Sequence, residues 1–284
     1  MPEICECRTD ADLLDFYLSN RYLESITLIN DVFKSKSSGI EELQQHLPLK
    51  VNRVLSRAKK IFVQLTNPKG NDWWIFWAYG MTGRIGEERK THSHVEFKMS
   101  HSWIGFDVFY YTNQRRIACF VEASCDPERL DYHVSDMGKP AVLGYDDAEG
   151  FEPITEEEFI ANIQAASGYL ASKIMDQRTI ASGIGNYLLS EIFYDAKLDP
   201  WVKCKDLSDD HISRLWKSVN KVINESYNNG GVSMSDYVHI DNTLGTHEHN
   251  LKVYERITTD LGEQVTSKKG PHGRTFWYVV SDHK

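Results

Sequence analysis

Met1-Pro2-Glu3 opens the chain with residue types suited to amine chemistry. Once an initiator methionine is removed, a proline at position 2 presents a secondary amine. A terminal amine titrates close enough to neutrality to keep an unprotonated, nucleophilic fraction. Attack by that amine on a sugar C1′ gives an iminium, an electron sink that makes the C2′ proton acidic. Glu3 beside it is suited to shuttle protons, provided burial raises its pKa. Taken alone, Met-Pro-Glu is an ordinary beginning, so the rest of the chain must decide its meaning.

A second candidate is Gly183-Ile184-Gly185-Asn186, which offers backbone amides and an Asn side chain to a phosphate at the start of a helix. A lone Gly-x-Gly is more often a tight turn. Here it sits in a longer string, from Lys173-Ile174-Met175-Asp176-Gln177 through Tyr187-Leu188 and Glu191-Ile192 to Pro200. The histidines His239, His247 and His249 occupy a polar segment without a matching ligand set and are read as non-ligands. Cys5-x-Cys7 is too closely spaced for a zinc ribbon, and five cysteines without paired spacing read as reduced thiols. No metal and no organic cofactor is expected.

The elements that must position these groups divide the chain. Thr9 or Asp10 is expected to cap a short first helix with Leu13, Leu14 and Tyr17 on its apolar side. After Pro48 the pattern turns to strands. Ile61–Leu65, Trp73–Trp77, Val95–Phe97, Phe106–Tyr110 and Ala118–Val121 are rich in aromatic and β-branched residues, with turn signals such as Asn67-Pro68-Lys69-Gly70 between them. An acidic, polar stretch from Gly144 to Pro153 reads as a linker. Thr155-Glu156-Glu157-Glu158 is a capping box that opens a helix through about Leu170. Another helix follows Asn186, and Ser208 caps a third with the stripe Ile212, Leu215, Trp216, Val219, Val222 and Ile223. Leu251–Tyr254 and Thr275–Val280 read as the two arms of a β-hairpin.

The string around Gly183 resembles the helix–two-turns–helix signature of the formamidopyrimidine-DNA glycosylase and endonuclease VIII family, and the likeness extends over nearly the whole chain. Pro2-Glu3 and Glu6 fall where that family has its catalytic N-terminus, with Ile4 and Cys5 replacing the usual residues between them. Arg57-Ala58-Lys59 resembles the motif with the family's active-site lysine, and Gly80-Met81-Thr82-Gly83 its Gly-Met-Ser/Thr-Gly turn. His92-Ser93-His94 resembles the basic strand that follows. Arg115-Arg116-Ile117 is similar to its Arg-Arg-Phe motif, and Gly230–Tyr237 to its lesion-capping loop. Val253-Tyr254-x-Arg256 and His272-Gly273-Arg274-Thr275 resemble the two arms of its C-terminal finger, here without any cysteine.

The resemblance implies an α+β multidomain protein. Residues 1–148 are expected to form a catalytic antiparallel β-sandwich domain with a leading helix, and 149–250 a helical helix–two-turns–helix domain. Residues 251–284 then form a zincless β-hairpin finger. It further implies a bifunctional DNA glycosylase and AP lyase of base excision repair, removing oxidised bases through a Schiff base on Pro2 and nicking by β/δ-elimination. Pro2, Glu3, Lys59 and Arg274 inherit catalytic-site roles. His92, Arg115 and Asn186 are assigned to DNA contact, with Met81 and Ile117 as wedges filling the void left by a flipped base. The partner is damaged DNA, the protein a monomer without a membrane segment, placed in the nucleus or cytoplasm. Net charge of −9 argues against a DNA partner by itself, although a local basic face suffices. The alternatives are a catalytically inactive damage-binding relative and a module binding RNA or protein. The first predicts salt-sensitive DNA binding without a trapped adduct, the second preference for structured RNA or a protein partner.

Overall fold

The computed structural model describes residues 2–67, 72–233 and 238–280. The first element is α1 (Ile4–Leu18), which starts well before the expected cap at Thr9 or Asp10. Its N-cap is Glu3, whose backbone N–H donates to the Glu6 carboxylate at 2.7 Å, so an acid three residues on closes the first turn. Sequence reasoning looks for Ser, Thr, Asp or Asn at this position, and Glu3 gives no such signal.

Nine strands form one sheet: β1 (Tyr22–Leu28), β2 (Ser37–Ser38), β3 (Leu49–Arg57), β4 (Lys60–Thr66), β5 (Trp73–Ala78), β6 (Gly83–Gly86), β7 (Ser93–Met99), β8 (Val108–Asn113) and β9 (Phe120–Ser124). Their order is β2-β9-β5-β4-β3-β1-β7-β8-β6, and only β2 with β9 is parallel. The sheet folds over at the short β1–β3 junction, where Tyr22 pairs Lys50 and Leu23 pairs Leu49. Its two halves then face each other. Val51, Ile61, Val63, Ile75, Trp77 and Val121 share a core with Ile26, Val95, Phe97, Phe109 and Tyr111, and the Trp77 and Phe97 rings lie 5.8 Å apart. This is the sandwich arrangement expected of strands that alternate inward apolar residues.

The stretch read as a linker is instead part of the packed structure. Two helices unforeseen in the sequence, α2 (Ile40–Gln44) and α3 (Pro127–Ser135), lie before it in the chain, α3 directly ahead of it. Tyr145 and Phe151 are buried against Leu55, Phe62 and Phe76 on the sheet's other face, and Arg57 Nε donates to Gly150 O at 2.8 Å. The acids of this loop stay at the surface while two aromatic side chains anchor it.

The helical part contains α4 (Glu156–Ala165), α5 (Leu170–Met175), α6 (Asn186–Asp195) and α7 (Asp209–Asn228). Thr155 and Ser208 cap as expected, accepting from the N–H groups of Glu158 and His211. The first of these helices ends at Ala165 rather than near Leu170: Ala166 is already extended, and Gly168, at φ 96°, then turns the chain before α5. The expected apolar stripe of α7 packs on Leu188, Leu189, Ile192 and Phe193 of α6. The terminal hairpin pairs β10 (Val265–Lys269) with β11 (Thr275–Val279). Leu251–Tyr254 is therefore no hairpin arm. Its three N–H groups at Lys252, Val253 and Tyr254 donate to the buried Glu191 carboxylate at 2.8, 3.0 and 2.8 Å, which holds the segment as a turn against α6.

Candidate active site

Glu3 is almost fully buried between the N-terminus and the start of α6. Its Oε2 accepts from Gly185 N at 2.5 Å and its Oε1 from Tyr187 N at 3.1 Å. The Gly185 and Tyr187 amides thus point at Glu3, so these two are not offered to a phosphate as the sequence reading expected. The glycines are required by this approach. A Cβ on Gly185 would lie 2.2 Å from the Glu3 carboxyl, and one on Gly183, at φ 101°, would meet Ile4 at 2.7 Å. The Ile4 N–H donates to Gly183 O at 3.1 Å and completes the wrap of this turn around the N-terminal residues.

Lys59 comes to the same place from the sheet. It sits in the two-residue turn between β3 and β4, where Arg57 pairs Lys60 and the buried Ala58 takes a left-handed φ of 53°. A non-glycine residue in that region is strained by roughly 1 kcal/mol or more. The strain aims Lys59 at the Gly183 turn, where Nζ donates to Ile184 O at 3.1 Å. Gln177 braces that carbonyl from the other side, donating to Ile184 O at 3.0 Å while accepting from Gly183 N at 2.8 Å. Gln177 stands in the sequence string without an assigned role, and its place directly after an apolar helix is the signal that could have marked it.

The electrostatics follow from this packing. Burial pushes the Glu3 carboxyl up to about 7; Lys59 opposes the rise, and Glu6 adds to it. Burial lowers the Lys59 pKa, against the attraction of Glu3, and the nearby Arg274 cation lowers it further. Glu3 and Arg274 thus both lie within electrostatic reach of Lys59, and Pro2 directly precedes Glu3. Pro2 is itself buried, and Arg274 lies exposed at the hairpin end. Glu6 supports the cluster from below, accepting from Tyr187 Oη at 2.8 Å and from Val232 N at 2.7 Å. Tyr187 is another supporting residue to which the sequence pattern assigns no role.

Asn186, the first residue of α6, reaches the hairpin: Nδ2 donates to Thr275 O at 3.0 Å and Oδ1 meets His272 Nε2 at 2.9 Å. Met81, Arg115 and Ile117 form a second group on two adjoining loops. Arg115 N donates to Thr82 Oγ1 at 3.0 Å, and a Cβ on Gly80 would lie 2.0 Å from Ile117 O. Ile117 is 52% exposed between Arg116 and Ala118, both at left-handed φ (52° and 51°). Asn113 ties His92 to these loops, donating to His92 O at 2.9 Å and, through Nδ2, to Tyr79 O at 2.8 Å. His94 is buried beneath, 4.6 Å from the stacked Phe33 ring, while His92, just before β7, is partly exposed.

His239 is buried, with Nδ1 2.9 Å from Asp10 Oδ1 and Nε2 2.7 Å from Gly230 O. Both partners only accept, so the ring binds them as an imidazolium. Burial opposes that charge, but Asp10 and the Gly230 carbonyl raise His239 above its ordinary value. Among the described residues no group of three His, Cys, Asp or Glu is placed to hold a metal, and no helix is long and apolar enough to cross a membrane. The remainder of the expected lesion-capping loop, Met234–Tyr237, lies outside the described residues, as do Met1 and Pro68–Gly70 of the expected turn.

Comparison with known proteins accords with this geometry. Residues 1–120 match the family model "Formamidopyrimidine-DNA glycosylase N-terminal domain", and residues 143–238 match "Formamidopyrimidine-DNA glycosylase H2TH domain". The chain is 27% identical over 262 residues to a formamidopyrimidine-DNA glycosylase of Rickettsia africae, covering 90% of this chain and 89% of that protein. Among solved structures, MutM (Fpg) from Thermus thermophilus superposes with a TM-score of 0.82 at 19% identity, covering 98% of this chain and 97% of that one. Lactococcus lactis Fpg in complex with abasic-site DNA superposes with a TM-score of 0.80 at 19% identity and the same coverage. These likenesses establish a shared fold.

Proposed function

Because the chain belongs to the formamidopyrimidine-DNA glycosylase and endonuclease VIII family, we propose that it is a base excision repair DNA glycosylase with AP lyase activity and that Pro2 is its nucleophile. The lone pair of the freed Pro2 amine attacks C1′ of a flipped nucleotide, and the C1′–base bond breaks as the base leaves. Glu3 protonates the sugar ring oxygen as the ring opens, giving a Schiff base. Loss of the C2′ proton expels the 3′-phosphate by β-elimination, and δ-elimination then releases the 5′-phosphate. Hydrolysis of the iminium returns the free amine. Lys59, Asn186 and Arg274 grip phosphates beside the flipped nucleotide, while Met81, Arg115, Ile117 and His92 serve the emptied duplex site.

The observation that carries this reading is a buried carboxyl next to Pro2 with a pKa of about 7, held by two amides and faced by Lys59. A group balanced near neutrality can give and take a proton at working pH. The departure at Ile4-Cys5 does not weaken it. Both side chains are fully buried in the helical core, and Cys5 Sγ lies 3.5 Å from Ile223 O.

Borohydride trapping on DNA with an abasic site tests the nucleophile directly. Protein verified to begin at Pro2 should give a covalent adduct, and its absence sinks the assignment. Pro2→Gly should weaken trapping more than DNA binding. A panel of oxidised purines, ring-opened purines and oxidised pyrimidines then identifies the base removed.

A further inference from the structure

We propose that His272, as a neutral imidazole with its proton on Nε2, is a positioning residue that fixes Asn186 against the hairpin arm carrying Arg274. The inference rests on the DNA-gripping roles proposed for those two residues. It starts from the Asn186 amide, whose Nδ2 end is assigned by its bond to the Thr275 carbonyl at 3.0 Å. The other end is therefore the oxygen, an acceptor, and the His272 Nε2 facing it at 2.9 Å must be the donor.

The rest of the ring is held as tightly. Nδ1 is buried without a hydrogen-bond partner. It packs on Gly270, where a Cβ would lie 2.6 Å from Nδ1 and 2.5 Å from Cε1. A second proton there would meet no acceptor, which fixes the neutral tautomer. Burial first, and the Arg274 cation second, hold His272 down to about 4. The ring also stands edge-on to Phe276 at 5.4 Å, and Phe276 in turn packs edge-on against Phe193 of α6 at 5.4 Å.

His272 thus touches Asn186, Gly270 and Phe276, which border the arm that carries Arg274. The loop between β10 and β11 is closed by Gly270 N donating to Arg274 O at 2.8 Å and Gly273 N to Gly270 O at 3.0 Å. Turning the imidazole away would release Asn186 from one side and the loop from the other. The hairpin contains no cysteine, so side-chain contacts of this kind must set its position on α6.

The test is a double-mutant cycle read by DNA binding, using a duplex with a tetrahydrofuran abasic analogue. His272→Leu should raise Kd about tenfold, as loss of one well-placed contact does. Its trapping rate at saturating abasic DNA should stay within about twofold of wild type, because the defect is in binding. His272→Gln, whose amide nitrogen can reach the Nε2 position, should return Kd to within about threefold of wild type. In an Asn186→Ala background, His272→Leu should cost clearly less than it does alone, because much of its effect runs through Asn186. Wild-type Kd in His272→Leu, a Gln variant as weak as Leu, or additive losses in the double variant would each overturn the proposal. Wild-type protein that fails to trap abasic DNA would instead defeat the Pro2 assignment, while the binding cycle still decides on His272.

Discussion

At the scale of single residues, the buried Glu3 carboxyl beside Pro2 carries a pH signature of its own. It is held at about 7 against an ordinary 4.5. Between those values the folded protein keeps a proton that the unfolded chain has lost, so stability falls as pH rises through that window and stays low above it. At about 1.4 kcal/mol per pH unit the gap is worth about 3 kcal/mol. His239 acts in the same direction: its raised pKa gives stability that is present below the ordinary value and lost as pH rises through the folded one. The buried His247 and His272, both held down to about 4, pull the other way and add stability as pH rises toward the ordinary histidine value. The Glu3 contribution is therefore read as a difference: in urea unfolding from pH 4.5 to 8, Glu3→Gln should gain stability relative to wild type as pH rises from 4.5 to 7. A constant difference between the two would mean that Glu3 titrates normally. For chemistry, Glu3→Gln should slow single-turnover base excision by roughly 10²-fold or more, the usual worth of a positioned proton donor.

At the scale of elements, the Gly183–Gly185 turn makes the carboxyl's environment. A methyl on Gly185 would lie 2.2 Å from the Glu3 carboxyl, whereas one on Gly86 in β6 would meet nothing within 4 Å. Gly185→Ala should displace Glu3 and lower excision by about 10²-fold, with Gly86→Ala as a control that leaves the rate unchanged. Equal rates for the two variants would show that the turn does not hold the proton donor. The same elements show what the sequence could reveal. The capping residues Thr155 and Ser208 and the α7 stripe are local signals, and the structure follows them. β10 escapes a reading by pattern because Val265–Lys269 is largely exposed and has no apolar alternation, which leaves the more hydrophobic Leu251–Tyr254 as the expected arm. Glu191, which claims that segment instead, acts across 61–63 residues of sequence. The site was legible as an order of motifs. That Gly185 and Tyr187 donate to Glu3, or that Gln177 braces the Lys59 acceptor, depends on contacts no periodicity encodes.

At the scale of the whole molecule, α1 joins the two halves. Ile4 and Cys5 are buried in the helical core, while Cys7, Ala11, Leu14 and Leu18 are buried in the sheet core. The nucleophile proposed at Pro2 is thereby placed where both halves meet, and phosphate contacts can come from each. With a net charge of −9, the molecule has no global attraction for DNA, so binding must rest on the few local cations. If Lys59 and Arg274 are the charged phosphate contacts, the slope of log binding constant against log salt should be shallow, about −2. Arg274→Ala should reduce its magnitude by about 1, whereas Asn186→Ala, which removes no charge, should weaken binding at every salt concentration and leave the slope alone. Measured on a tetrahydrofuran duplex, a wild-type slope of about −8 or steeper would point to a wider basic surface than these residues supply. A slope unchanged in Arg274→Ala would remove that residue from the phosphate grip.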